Sequence, residues 1–265
     1  MWLRAGWHKA RPYRHCKHHK HRQTLQTSKK IQKMTKFFCG LVFLLSLHFT
    51  SPAYAQQTIF NVPSADVTAK NKNFLQHESQ FRAKDPDQFF NATNYFARGI
   101  GANTELDATL FNVGSPASKN AALGLGFKTV FPLENFAAKK YQPKIIFGSQ
   151  IPFSLQGNGV GHWIYSAANA TIPQSNTRLT AGISSGTKQI FGESVTCFIG
   201  GFEQKITEDF SFISDWYSGN HSLGIWATGF SYALPQDFVF YGGYQIPNSK
   251  KVGKNSFVIE VAKIF

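Results

Sequence analysis

The stretch Ala121–Phe131, "AALGLGFKTVF", decides the fold class because its residue types alternate with a period of two. The odd positions carry mostly large apolar residues such as Leu123 and Phe127, whereas the even positions carry alanine, glycine, valine and Lys128. Side chains two residues apart lie on the same face of a β-strand. The stretch is therefore predicted to form a strand with one broad apolar face and one small face that carries a charge.

The same alternation recurs along the chain in short segments that are separated by Asn, Gly, Pro, Ser, Lys and Asp. These segments predict an all-β protein of about twelve strands, and ten to fourteen would also fit the pattern. The predicted strands cover roughly residues 72–81, 89–99, 102–112, 120–131, 142–153, 159–171, 176–185, 194–204, 208–217, 222–233, 236–245 and 255–265.

The polar faces of these strands indicate what surrounds the fold. They are rich in Gly, Ser, Thr and Asn, and only 16% of all residues are charged. A soluble β-sandwich would carry many Lys and Glu on its outer face, so the pattern favours a closed antiparallel transmembrane β-barrel with an apolar band toward lipid. Aromatic residues near the segment ends, among them Trp163, Trp216 and Tyr217, are predicted to form interfacial girdles, and packing in a sandwich core is the alternative.

Residues 34–55 have the three-part pattern of a secretory signal peptide. The apolar run Phe37–Phe49 is too short to cross a bilayer, which takes about 20 residues. The predicted cleavage signal consists of Ala53, Ala55 and Gln56. The exported chain is therefore predicted to be residues 56–265, and the only cysteine within it is Cys197, which leaves no partner for an intramolecular disulfide.

The net charge of +14 is concentrated at the start of the chain. Residues 1–55 hold eleven of the 28 Lys and Arg residues and no acidic residue, so residues 56–265 carry a net charge of only about +3. This distribution argues against nucleic-acid binding by the body of the chain. Residues 1–33 are interpreted as a basic leader or as an extension upstream of the true start at Met34, and metal or nucleic-acid binding by His15–Arg22 is the alternative.

The chain ends in "NSFVIEVAKIF", Asn255–Phe265, which alternates like the other segments. It is predicted to be the closing strand of the barrel and to pair with the first strand near Asn73–Phe81. One face carries the predicted assembly signal, which comprises Phe257, Ile259, Val261 and Phe265. Lys263 lies on that apolar face, where a lysine can extend its amine to the polar interface.

This ending resembles the terminal signal that the assembly machinery of bacterial outer-membrane barrels reads. The stretches "IFNVPSADV" (Ile59–Val67), "DWYSGNHSLGIWATGF" (Asp215–Phe230) and "YGGYQIPN" (Tyr241–Asn248) resemble uncharacterised porin-like outer-membrane proteins of Gram-negative bacteria. The resemblance implies a location in the outer membrane. It also implies lipid, the barrel-assembly machinery and periplasmic chaperones as partners, with a homo-oligomer possible and no defined substrate.

Charged and amide side chains of both signs fall on the predicted inward positions. They are Glu78, Gln80, Glu105, Asp107, Lys128, Lys144, Gln150, Arg178, Asp209, Asp215 and Glu260. Side chains of this kind can line a hydrated passage, so the predicted function is a narrow porin-like channel for passive movement of small polar solutes. In the alternative, they pair across a filled interior and make a closed structural or anchoring barrel.

One further motif bears on function. His77 and Ser79 are two residues apart, share a face with Leu75 and Phe81, and match the His-x-Ser pair of outer-membrane lipid hydrolases. Such a site needs a third group that orients the imidazole, and none can be identified from the sequence. A lipid-modifying hydrolase is thus the less favoured alternative, and no cofactor or metal site is predicted.

Overall fold

The chain closes into a barrel of twelve antiparallel strands in which each strand pairs with its sequence neighbours and β1 pairs with β12. The computed structural model describes residues 57–83, 88–115, 120–133, 135 and 139–265. The strands are β1 (Asn73–Arg82), β2 (Phe89–Gly101), β3 (Thr104–Ser115), β4 (Ala122–Pro132), β5 (Lys144–Ser154), β6 (Trp163–Ile172), β7 (Thr177–Gly186), β8 (Val195–Lys205), β9 (Phe210–Tyr217), β10 (Ile225–Leu234), β11 (Phe238–Pro247) and β12 (Ser256–Ile264). The predicted closed twelve-strand fold is confirmed. The predicted signal peptide, with Ala53, Ala55 and Gln56, lies outside the described residues.

The last strand closes the barrel against the first, as its alternation predicts. Phe74 lies opposite Ile264, and Phe81 lies opposite Phe257. At the end of this ladder the main chains of Asn73 and Phe265 exchange two hydrogen bonds of 2.8 and 3.0 Å. Closure leaves no unpaired strand edge, which is what a β-structure in an apolar solvent requires.

Most predicted strand limits lie within two residues of the observed ones, and the exceptions are the end of β3 and the starts of β6 and β10. Strand β6 begins at Trp163 rather than at 159. Gly157 and Gly159 before it have φ angles of 77° and 83°, in the left-handed region, so the chain turns there and does not extend the ladder. Strand β10 begins at Ile225 rather than at 222, because the preceding residues form a turn closed by a hydrogen bond from Gly224 to His221.

The outer face of the wall is apolar, as the strand patterns predict. Its exposed side chains include Leu75, Phe96, Leu106, Leu125, Ile151, Ile164, Leu179, Ile183, Phe198, Phe212, Trp216, Trp226, Phe257, Ile259 and Val261. Lys263 also lies on this face, and its amine lies 4.4 Å from the centre of the Phe238 ring. This contact shows how a lysine is accommodated within the apolar row of β12.

The hydrophobic core lies inside the barrel and includes residues that precede β1. Ile59, Phe60 and Val62 are buried against residues of the strands. Trp163 and Tyr217 belong to the same buried cluster, so their prediction as girdle residues is wrong. Both point inward because the interior is filled by apolar groups that these rings contact.

The two ends of the barrel differ in their connections. We call the end where β1 begins and β12 ends the proximal end, and the opposite end the distal end. A 3-10 turn at Lys139–Tyr141 lies at the proximal end, and a short helix α1 (Lys188–Phe191) lies in the distal connection between β7 and β8. No helix within the described ranges is long and apolar enough to cross a membrane.

Candidate functional site

Residues 57–64 form a tight hairpin inside the barrel, which we call the lumen hairpin. Thr58 and Pro63 pair across it, and the Ile59 amide donates a 2.8 Å hydrogen bond to the Val62 carbonyl. The four-residue turn from Ile59 to Val62 is therefore the tip. Residues 65–72, the connecting segment, lead from the hairpin to β1.

The tip is held by a single carboxylate of β9. One oxygen of Asp215 accepts hydrogen bonds from the main-chain amides of Phe60, Asn61 and Val62, at 2.9, 2.5 and 2.7 Å. Asp215 is only 2% exposed. Three converging amides make an anion-binding concavity, and the charge on the acceptor strengthens each bond. Asp215 therefore fixes the hairpin within the lumen.

Glycines of the wall provide space for the apolar side chains of the tip. A Cβ atom at Gly243 would lie 2.5 Å from the Phe60 ring, and one at Gly201 would lie 2.6 Å from Ile59 Cδ1. Real Cβ atoms do not approach other atoms this closely, so any larger residue at either position would displace the hairpin or the wall. The two strands β8 and β11 are thus shaped around the tip.

A second set of contacts holds the base of the hairpin. The amine of Lys128 donates to the Gln57 carbonyl at 3.1 Å and lies 3.3 Å from a Glu105 carboxylate oxygen. The other Glu105 oxygen accepts a 2.7 Å hydrogen bond from the Thr68 amide. Lys128 and Glu105 are 1% and 0% exposed. This buried ion pair is thus bound to the hairpin and to the connecting segment at once.

The connecting segment is also bound by an arginine. Arg178 of β7 binds both carboxylate oxygens of Asp66, at 2.7 and 2.8 Å, and pairs with Glu203 of β8. Burial acts to raise the pKa of Asp66, but the Arg178 guanidinium together with the charges of Lys144 and Lys128 outweighs burial, so the pKa lies below its ordinary value. Asp66 is therefore held as a carboxylate.

Two cavities flank the hairpin. The distal cavity has a volume of about 260 Å³ and is lined in part by Gln57, Phe60 and Asn61. The proximal cavity has a volume of about 1250 Å³ and is lined in part by Asp66 and Arg178. The hairpin and the connecting segment thus lie between these two cavities inside the barrel.

Helix α1 folds inward at the distal end, where Gln189, Ile190 and Phe191 are buried. The Gln189 amide donates a 3.1 Å hydrogen bond to the Asn158 carbonyl, and the Phe191 ring packs edge-on against His221 at 5.0 Å. Helix α1 is thereby bound to the two neighbouring distal connections, β5–β6 and β9–β10.

The residues predicted to line the lumen lie in three kinds of surroundings. Glu105, Lys128, Arg178 and Asp215 bind the hairpin or the connecting segment. Asp107 and Gln150 bind each other, as do Glu78 and Gln80, and Glu260 binds Gln76. Lys144 and Asp209 contribute to the lining of the proximal cavity.

Asp209 differs from its predicted place, because it lies in the exposed turn before β9 and not on an inward position of a strand. Sequence reasoning also missed Gln57, Asp66 and Glu203. Gln57 and Asp66 precede β1, where no strand pattern applies. Glu203 lies opposite Arg178 in the ladder of β7 and β8. The alternation of β8 could have been used to predict that Glu203 points inward.

On the outer face of the wall, His77 of β1 lies between two polar side chains. Its Nε2 atom lies 2.9 Å from Ser79 Oγ, and its Nδ1 atom lies 2.8 Å from Asn94 Oδ1. Asn94 is the cross-strand partner of His77 on β2. Asn94 is therefore the residue that contacts the second nitrogen of the imidazole, and the sequence alone did not identify it. We call these three residues the outer polar cluster.

No group of three or more His, Cys, Asp or Glu within the described ranges is placed to hold a metal ion. Cys197 is buried in the core, and burial leaves its thiol little access to solvent.

Comparisons with known proteins show the fold. No protein-family model and no curated protein matches the chain. A solved structure of the KdgM porin in complex with disordered oligogalacturonate is 10% identical, covers 73% of this chain and 99% of its own, and superposes with a TM-score of 0.51. The chain therefore shares its barrel fold with an outer-membrane porin.

Two further structures match with a TM-score of 0.40. The translocator domain of the autotransporter NalP from Neisseria meningitidis is 12% identical and covers 91% of this chain and 98% of its own. Outer membrane phospholipase A from Escherichia coli is 10% identical and covers 83% of this chain and 94% of its own.

Proposed function

We propose that the protein is an outer-membrane barrel that conducts small polar solutes, and that the lumen hairpin is the gate of its channel. The observation that supports this most directly is the position of the hairpin. It lies across the lumen between two cavities, yet it is held by wall side chains such as Asp215 and Lys128. A segment held in this way can leave while the strand ladders stay intact.

The chemistry of the lumen supports a polar passage. Withdrawal of the hairpin together with the connecting segment would expose Glu105, Lys128, Arg178 and Asp215, which now bind these two parts of the chain. Fixed charges of both signs at a constriction interact favourably with ions and polar solutes, whereas apolar solutes gain no such interaction. The proposed solutes are therefore small and polar.

The surroundings proposed for the barrel are those of a Gram-negative outer membrane. The apolar outer face supports contact with lipid. Strand β1 begins and strand β12 ends at the proximal end, which supports an orientation of the proximal end toward the periplasm. Assembly would then depend on periplasmic chaperones and on the barrel-assembly machinery, with Phe257, Ile259, Val261 and Phe265 as the terminal signal.

Single-channel recording in a planar bilayer tests the proposal. The mature chain, residues 56–265, is compared with its Asp215→Asn variant, in which an amide group replaces the carboxylate that binds the tip. We expect rare openings in the native protein and frequent openings in the variant, since the hairpin loses a charged acceptor. Asp209→Asn is the matched control, because it removes the same charge at the lining of the proximal cavity and not at the hairpin tip, so the frequency of openings should stay unchanged.

The outcome separates a channel from a closed barrel. Conductance steps that increase only in Asp215→Asn support the gate. If neither protein conducts, although both are folded and inserted, the hairpin is a permanent part of a closed structural barrel and the channel is excluded.

A further inference from the structure

The outer polar cluster lies on a surface that is otherwise apolar. His77 lies opposite Val261 and Ser79 lies opposite Ile259 on β12, and both of these apolar side chains are exposed. Leu75, two residues before His77, is 49% exposed. The transfer of polar groups to an apolar solvent costs free energy unless the groups bind one another, so the placement of this cluster needs an explanation.

The hydrogen bonds of the cluster give each residue a different role. Asn94 Oδ1 can only accept a hydrogen bond, so the 2.8 Å contact places the imidazole proton on His77 Nδ1. In the neutral imidazole, Nε2 is then the acceptor for the Ser79 hydroxyl, which lies 2.9 Å away. A nucleophile, a base within hydrogen-bond reach and a group that orients the base are the three parts of a serine hydrolase site.

From this geometry we propose that Ser79, His77 and Asn94 form a catalytic site that hydrolyses acyl esters of membrane lipids. The proposal uses the membrane location given under the proposed function, but it does not depend on conduction. Ser79 is the nucleophile, His77 is the general base and acid, and Asn94 is a positioning residue.

The position of the cluster defines the substrate class. Ser79 is the seventh of the ten residues of β1, counted from the proximal end, so it lies in the distal half of the wall. Exposed Leu75, Ile259 and Val261 lie beside it and offer a surface along which an acyl chain can pack. A substrate that carries an ester group next to such a chain is an acylated lipid. It would come from the membrane leaflet that contacts the distal half of the barrel wall.

The reaction is a double displacement. Ser79 Oγ attacks the ester carbonyl carbon while its proton passes to His77 Nε2. The bond between that carbon and the alcohol oxygen breaks, and His77 protonates the leaving alcohol. Water then attacks the acyl-serine, gives a proton to His77, and releases the fatty acid as the serine oxygen regains that proton. The net change is an ester and water converted to an acid and an alcohol.

Two measurements on the mature chain test the site. The refolded protein is inserted into vesicles of phosphatidylethanolamine and phosphatidylglycerol, and released fatty acid is quantified. A fluorophosphonate probe, which forms a covalent bond with activated serines, is applied in parallel and the labelled residue is identified by mass spectrometry. We expect fatty-acid release and labelling at Ser79.

Variants separate the catalytic roles from structural ones. Ser79→Ala should abolish both signals, and His77→Gln should lower them at least a hundredfold. The matched control is Ser185→Ala, because Ser185 is another strand serine whose hydroxyl accepts a 2.8 Å hydrogen bond from the Thr196 hydroxyl. Its loss should leave both signals unchanged.

Asn94 needs a readout that a merely structural role would not change. Asn94→Asp keeps an acceptor for the Nδ1 proton, so this conservative variant should retain activity. Asn94→Leu should lower the rate more than tenfold.

The native protein decides the matter. If folded, inserted native protein releases no fatty acid, or if the probe labels Ser185 and not Ser79, the proposed site is refuted whatever the bilayer recordings show. Conversely, lipid hydrolysis that requires Ser79 would stand even if the barrel never conducted.

Discussion

The barrel holds two groups of polar side chains whose hydrogen bonds are similar in length and whose surroundings differ. Inside, Asp215 accepts three main-chain amides of the hairpin tip and is 2% exposed. Outside, the His77 ring is exposed and its two nitrogens contact Ser79 and Asn94. The inner group binds another part of the chain, whereas the outer group binds itself. Loss of one partner should therefore affect folding strongly inside and weakly outside.

The largest effect is expected at the buried ion pair. Lys128→Met leaves Glu105, which is 0% exposed, as an uncompensated buried charge. Removal of one partner of such a pair typically costs about 3–5 kcal/mol. We expect a loss of this size in the free energy of unfolding, measured by urea titration of the barrel folded in lipid vesicles.

The double variant Glu105→Gln/Lys128→Met is the control. It removes both charges, so most of the lost stability should return. A single Lys128→Met change that costs less than about 1 kcal/mol would show that Glu105 finds another partner or a proton.

A smaller and local effect is expected at the hairpin tip. Asp215→Asn removes the negative charge that three amides share, and a hydrogen bond to a charged group contributes about 1.5–3 kcal/mol. If about 2 kcal/mol is lost, amide hydrogen exchange at Phe60, Asn61 and Val62 should accelerate about thirtyfold. Exchange in the strand ladders should stay the same.

Asp209→Asn should leave these three amides unchanged. Equal acceleration across the strands in Asp215→Asn would contradict the prediction, because it would mean that the whole barrel opens and not only the hairpin.

The wall of the barrel was predictable because its causes are local. Alternation with a period of two in stretches such as Ala121–Phe131 selects the faces of a strand, and turn residues end each strand. The closing role of Asn255–Phe265 follows from the same rule. The predicted strand limits were wrong where a local turn ended the alternation. At Gly159, for example, a φ of 83° turns the chain before β6.

The hairpin was not predictable because its contacts are distant in sequence. Asp215 was recognised as an inward carboxylate, but its partner Phe60 lies 155 residues away in a segment without periodicity. The role of Asn94 depends on the register of β1 against β2, which pairs it with His77. The alternation within a strand shows which face a residue lies on, but it does not show which residue of the next strand lies opposite.

A further prediction concerns the pH dependence of the docked connecting segment. The pKa of Asp66 is lowered from the ordinary 3.8, since the ion pair with Arg178 and the charges of Lys144 and Lys128 together outweigh the effect of burial. A carboxylate with a lowered pKa stabilises the folded state above the ordinary value and loses this contribution as the pH falls through the folded value. Exchange of hairpin amides, corrected for the intrinsic rate, should therefore rise as the pH falls below 3.8.

Asp66→Asn isolates this contribution from those of the other carboxylates. The variant should show faster exchange at neutral pH and a smaller rise in acid. An unchanged rise would assign the acid response to another group.

The smallest effect on stability is expected at the outer polar cluster. His77→Leu replaces an exposed ring by an apolar side chain that resembles its neighbours Leu75 and Val261. The hydroxyl and amide left behind are at the surface, so no buried group loses its partner. We expect the free energy of unfolding to change by less than about 1 kcal/mol in the urea titration used for Lys128→Met.

A loss of more than about 2 kcal/mol would mean that the cluster holds β1 against β2, and its hydrogen bonds would then be explained without chemistry. Retained stability together with lost serine labelling would instead show that the cluster contributes reactivity and little to the fold.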